Sequence, residues 1–409
     1  MRVLKTIRRA EYAELVALFF IQGIAAGMWL VPLTTVLDAY GLQAIKPFAY
    51  GASGAAAFVS PLIFGAMADR HVSPVVVLRG LAAAATALLM LIGAAIHLHW
   101  NRWLVLALIQ VSAFSTAPLT SISSTIIFAR LADAQKEFGP IRGMYTFGWM
   151  AGCWTISALN ADQSVRAIYS SAVMWLAVAG FTFFLPALET PKSAERLTLR
   201  QRLGWDALSL LKNSDHRVVF ITVALYSIPL AAFYPYAPPH MRALGLQHTS
   251  AWMTLGQASE MICMFTLGTL LQRRRLKWVV VAGLGFGVLR FGLSALDSRL
   301  FLLSGVFLHG ASFTLVFITA QIYLDQRVDA SWRARAQALM ALMTSGLGNL
   351  AGYLGDGWWF GTCASAGGTR WPMFWGGLAA GVGAVLAYFL AAYRGLGPRP
   401  VKAASRAGL

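Results

Sequence analysis

The chain alternates long apolar runs with short, mostly basic connections. Twelve runs are long enough to cross a ~30 Å hydrocarbon core as helices. They lie at 12–37, 47–68, 74–97, 101–129, 141–160, 165–188, 216–238, 251–272, 277–297, 299–323, 333–360 and 370–394. Between the sixth and seventh, Glu189 to Asp215 is the longest polar stretch, with Lys192, Arg196, Arg200, Arg202 and Lys212. It divides the chain into an N-terminal six-helix bundle (1–188), a cytoplasmic central loop (189–215) and a C-terminal six-helix bundle with a basic tail (216–409). The pattern predicts an all-α polytopic membrane protein of twelve transmembrane helices.

Polar residues inside the runs are the informative exceptions. Span 8 reads Gln257-Ala258-Ser259-Glu260 within apolar sequence. Glu260 is the only acid placed near the middle of a span. A carboxylate there costs about 2.5–3.5 kcal/mol on insertion scales, so it faces protein or water and marks a functional site. Gln257 shares its helical face. Span 5 opens with Gly139-Pro140-Ile141-Arg142, the proline being tolerated in a first turn. Arg142, Thr146, Trp149 and Cys153 then follow at helical spacing, a stripe suited to a polar, planar solute. Span 7 carries Phe233-Tyr234-Pro235-Tyr236-Ala237-Pro238-Pro239; its prolines predict a broken outer end, and Phe233 and Tyr234 are candidate cavity aromatics. Arg290 in span 9 needs a partner from another helix: Glu260, Asp325 or backbone carbonyls. His309 in span 10 relays protons or bonds a neighbouring helix.

Composition narrows the class. The 409 residues are 58% hydrophobic and 12% charged, far from the usual soluble balance. The net charge of +17 would suit nucleic acid, but the basic residues are scattered through short loops, so no nucleic-acid partner is expected. Most of the 33 Lys and Arg fall in the tails and in the loops after even-numbered spans. The opposite loops hold Lys46, Arg102, Arg166, Arg242, Arg299 and Arg370, one each, which predicts both termini to be cytoplasmic. The basic start is followed by no small-residue cleavage site, so the first run reads as a span rather than a signal peptide. Cys153, Cys263 and Cys363 imply no disulfide framework. Gly283-x-Gly285-x-Gly287 follows no strand and lies in a span; Gly283 and Gly287, like Gly348 and Gly352, fit close helix packing. No His-Glu-x-x-His, paired catalytic aspartates or Gly-x-Ser-x-Gly occurs in a span, so neither an enzyme nor a cofactor or metal is expected.

The halves echo one another. Gly65, Asp69-Arg70, Val75-Val76-Val77 and Gly80 between spans 2 and 3 recur, shifted by half the chain, as Gly268, Arg273, Val279-Val280 and Gly283. Such repeats mark transporters that alternate around a midplane site. The loop resembles the signature of the major facilitator superfamily, where the acid and arginine tie helix ends together; Asp69 and Arg70 are the matching gating positions. Further pieces are similar, in order, to the bacterial nucleoside:proton symporters of that superfamily. They are Gly27-Met28-Trp29, Gly139-Pro140-Ile141-Arg142 with Thr146, Gln257-Ala258-Ser259-Glu260, Leu289-Arg290-Phe291, His309-Gly310, Gln321 to Asp325, Arg333 to Gln337 and Thr344-Ser345-Gly346.

That resemblance implies proton-driven nucleoside uptake across the bacterial cytoplasmic membrane by a monomer in the lipid bilayer. It places pocket contacts on Arg142, Thr146, Gln257 and Glu260, with Trp149 at the family's span 5 aromatic. Phe233, Tyr234 and Phe313 are further candidate contacts, and Glu260 is the proton-coupling group. Where relatives carry an intramembrane acid in span 10, this chain has Thr314. Either coupling rests on Glu260 alone or the substrate has shifted. The alternatives are a transporter of a sugar or another small polar solute, and a non-transporting sensor or assembly partner.

Overall fold

The computed structural model describes residues 12–60, 73–186, 205–273, 275–329 and 332–395. Among them, helix follows each of the twelve apolar runs, and a two-residue hairpin pairs Ala364–Ser365 with Gly368–Thr369. Seven of the helical paths are long and apolar enough to cross a membrane by length and composition. Ala134–Ala158 and Thr249–Arg273 are not among the seven. They carry the Arg142 and Gln257 stripes, and the same polar side chains that suggest a site make a helix less apolar. Asp69 and Arg70 lie outside the described residues, as does 189–204 of the central loop.

By packing, the chain forms two compact units. The first comprises Met1–Arg196, Ala231–Gln257 and Tyr353–Trp358; the second comprises Leu197–Leu230, Ala258–Gly352 and Trp359–Leu409.

In the first unit, spans 1 and 5 lie backbone to backbone. A Cβ at Gly23 would stand 2.1 Å from the Tyr145 carbonyl oxygen, and one at Gly148 2.0 Å from that of Phe20. Only glycine permits this approach, and Gly27 and Gly152 repeat it one turn on. The contact fixes which way Tyr145 and Trp149 point. Span 5 starts at Ala134 rather than 141, so Pro140 sits inside the helix instead of in its first turn. Span 1 breaks between Ala13–Leu30 and Leu33–Ala39, and span 4 between Arg102–Thr116 and Leu119–Phe128, next to Pro32 and Pro118 respectively.

Span 7 also breaks, between Pro229 and Pro235. Ser214–Ala231 ends at Ala232, and Pro238 and Pro239 lie within the next helix, Phe233–Ala243. Pro239 has no N–H for the Pro235 carbonyl. The Thr34 hydroxyl donates to that carbonyl instead, at 2.7 Å. A partner from span 1 thus keeps a proline-rich helix intact.

In the second unit, glycines again set the spacing. A Cβ at Gly283 would meet Leu315 Cβ at 2.8 Å, and one at Gly348 would meet Ser227 Cβ at 2.6 Å. Spans 10 and 11, read from the sequence as continuous α-helix, each contain a π-helical turn, at Thr314–Ile318 and Leu342–Gly348. Such turns commonly sit at functional positions.

Candidate substrate site

The first unit brings five of the expected residues into one run. The Arg142 guanidinium lies 4.6 Å from the Tyr145 ring centre and 5.7 Å from that of Phe19. Tyr145 and Trp149 are 6.5 Å apart, Trp149 and Tyr234 6.0 Å, and Tyr234 and Phe233 5.1 Å edge to face. Gln257 donates from Nε2 to the Tyr234 hydroxyl at 3.1 Å. Gln257 itself is buried, whereas Arg142, Trp149 and Tyr234 are half-buried. Spans 5, 7 and 8 therefore present a cation, three aromatic rings and an amide in succession. Thr146 is half-buried on span 5. Phe233 is fully packed and backs Tyr234.

Tyr145 joins this run although the sequence reading passed over it. The signal was present: it stands three residues after Arg142 and four before Trp149, on their face. Its hydroxyl is hydrogen-bonded to Thr120. Cys153, at the end of the predicted stripe, is buried against the Gly27 carbonyl instead, at 3.8 Å.

Behind Trp149 is a cavity of about 180 Å³. Trp29, Tyr50, Ser53, Thr116, Trp149 and Trp175 are among its walls. The indole N–H groups of Trp149 and Trp175 are buried without a partner among the described residues. A cavity of that size admits several waters, and the polar edges around it give them partners.

The second unit holds Glu260, half-buried on span 8 next to Ser259, whose hydroxyl donates to the Phe307 carbonyl of span 10. Arg290, 2% exposed, bonds from Nη1 to Nδ1 of His309 at 2.6 Å. A histidine was not among the partners the sequence offered for this arginine. Tyr226 contacts Arg290 and pairs with the Ser312 hydroxyl, while Phe313 stacks on His309 at 6.2 Å. Thr314 opens the π-helical turn of span 10. It is fully buried, and its hydroxyl has no partner among the described residues.

Residues 11–395 match the family described as nucleoside H+ symporter. The chain belongs to that family. It is 31% identical over 359 residues to the putative nucleoside transporter YegT of Escherichia coli K12, covering 83% of this chain and 82% of the relative. It is 26% identical over 407 residues to the nucleoside permease NupG of the same organism, covering 93% and 95%. A solved structure of the nucleoside transporter NupG superposes with a TM-score of 0.85 at 24% identity, over 94% of this chain and 100% of that one. A structure of a POT peptide transporter follows at 0.71 and 12% identity, over 94% and 93%. At these identities the structural likenesses establish the fold, which is the major facilitator fold that the resemblance of the sequence implies. This member of the nucleoside H+ symporter family is a multi-pass membrane transporter and not an enzyme.

Proposed function

We propose that the nucleoside is held by Arg142, Thr146, Trp149, Tyr234 and Gln257, and that Glu260 takes up and releases the coupled proton as access alternates. The run from Arg142 through Tyr145, Trp149 and Tyr234 to Gln257 carries this reading. A nucleoside has a flat, π-rich base and a ribose with hydroxyls. The indole of Trp149 and the ring of Tyr234 offer the base stacking surfaces, each worth about 1–3 kcal/mol. Arg142 and Gln257 offer donors for its oxygens. A sugar would gain from the donors but much less from two aromatic walls. Phe313 and Thr314 of span 10 are proposed as contacts on the second unit. Asp69 and Arg70 are proposed to gate the cycle.

The charge asymmetry of the loops supports an orientation with both termini cytoplasmic in the bacterial inner membrane. We take the monomer as the working unit, with residues 1–188 and 216–409 as its two six-helix halves.

Equilibrium binding to the purified protein tests the substrate class. Uridine or adenosine should bind, glucose should not, and Trp149→Ala should weaken nucleoside binding about tenfold or more. Nucleoside affinity indifferent to both Trp149→Ala and Gln257→Ala would remove this run from the site.

A further inference from the structure

A second acid lies within a membrane span, in the helix Asn349–Thr362 of span 11. Asp356 is 3% exposed. Its carboxyl accepts a hydrogen bond from the backbone of Ala232, the residue at which span 7 breaks. The other oxygen, Oδ2, is buried with no partner among the described residues. Neighbouring packing is tight: a Cβ at Gly357 would meet Pro47 Cγ at 2.4 Å.

Among the described residues, the groups identified around this carboxyl supply no cation. Tyr236 comes from span 7, with His240 one turn further along that helix. Tyr353 comes from the turn before, hydrogen-bonded to Ser53, and its ring lies 5.6 Å from Tyr50 of span 2. Lys46 stands beyond Tyr236, 5.8 Å from that ring, and is already paired with Asp38 at 2.6 Å. An ionised carboxylate with one backbone donor and no cation is among the costliest arrangements a protein interior can hold. A carboxyl in that position relieves the cost by carrying a proton. Tyr50 and Ser53 line the cavity behind Trp149, so the hydrogen bond between Tyr353 and Ser53 joins the surroundings of Asp356 to that cavity.

We propose that Asp356 is a second proton carrier of the transport cycle, resting on the symport reading above. It holds its proton while packed against Ala232, and it exchanges that proton with water when the segment Ala231–Gln257 moves away. In the loading step a hydronium ion gives its proton to Oδ2; one O–H bond forms, one breaks, and a water molecule leaves. Under the proposed orientation, this half of span 11 is the half nearer the outside. The carrier would occupy the role for which span 10, with Thr314, has no acid.

Infrared spectroscopy of the reconstituted wild type tests the resting state without a variant. The carbonyl band of a protonated carboxyl should be present at neutral pH and should shift when aspartate is carbon-13 labelled. Absence of any protonated aspartate at neutral pH overturns the proposal. In proteoliposomes, Asp356→Asn keeps the acceptor for Ala232 and removes the titration. The ratio of gradient-driven uridine accumulation to uridine counterflow should fall about tenfold, with Asp356→Glu restoring part of it. An unchanged ratio in Asp356→Asn overturns the proposal as well. Lack of wild-type counterflow would instead refute the nucleoside reading, so the two failures are distinguishable.

Discussion

The guanidinium of Arg290 donates to Nδ1 of His309 across 2.6 Å, and both residues are buried. Arginine does not give up its proton, so Nδ1 must be the acceptor and His309 is neutral with its proton on Nε2. Two cations at that distance in a buried site would repel strongly. Arg290, which also contacts Tyr226, thus gives this hydrogen bond to a neutral acceptor. His309→Leu should destabilise the protein by about 1.5–3 kcal/mol, the range for losing a hydrogen bond to a charged group. His309→Gln, which keeps an acceptor, should cost much less. Thermal unfolding of the two variants in detergent reads the difference, and equal losses would show that packing, not the hydrogen bond, accounts for His309.

Tyr234 links Trp149 to Gln257. Tyr234→Phe keeps the ring and removes the hydroxyl that accepts from Gln257. Nucleoside affinity should fall about three- to tenfold through the released amide, less than for Trp149→Ala. The comparison is made by isothermal titration of uridine. A larger effect for Tyr234→Phe than for Trp149→Ala would mean that the hydroxyl, not the stacking surface, dominates.

Asp162 binds the start of span 8. Its carboxylate accepts from the Ser250 backbone N–H at 2.7 Å and from the Ser157 hydroxyl at 3.2 Å. Helix first turns have unpaired N–H groups, and a negative group suits them. Asp162→Ala should remove about 1–3 kcal/mol from this contact. A cysteine placed by Thr254→Cys, beside Trp154, should then react faster with a membrane-impermeant maleimide. Unchanged labelling would show that the contact does not restrain opening.

Thr314 is fully buried with an unpaired hydroxyl. Restoring an acid by Thr314→Asp therefore forces a carboxyl into a packed π-helical turn. The expected result is a destabilised protein, by a few kcal/mol, that holds the new group protonated near neutral pH. Uridine binding measured across a pH series on the folded fraction checks this. A stable variant with a second ionisation in its pH profile would mean that position 314 opens to water.

The spans were legible because apolar length in a membrane is a property of the local sequence. The continuation of helix through the last prolines of span 7 was not. Span 7 remains helical through Pro238 and Pro239 because Thr34, some two hundred positions earlier, serves the Pro235 carbonyl. No window of sequence around the prolines contains that partner. Tyr145 was available from helical spacing alone, next to Arg142 and Trp149. His309 as the partner of Arg290 depends on the register of spans 9 and 10, set by glycine packing. Asp356 sits among tryptophans and glycines near a span end, where an acid reads as ordinary interface; only its burial against Ala232 distinguishes it. The departure at Thr314 was visible, but its burial was not.

Accumulation of labelled uridine in proteoliposomes, under an imposed inward proton gradient, tests the central claim most directly when wild type and Glu260→Gln are compared. The wild type should concentrate uridine above its outside level and lose that capacity when the gradient is collapsed. Glu260→Gln keeps a hydrogen-bonding head and should equilibrate uridine without concentrating it. Gradient-driven accumulation by Glu260→Gln equal to the wild type would contradict the assignment of Glu260, and a wild type that accumulates no nucleoside would contradict the account as a whole.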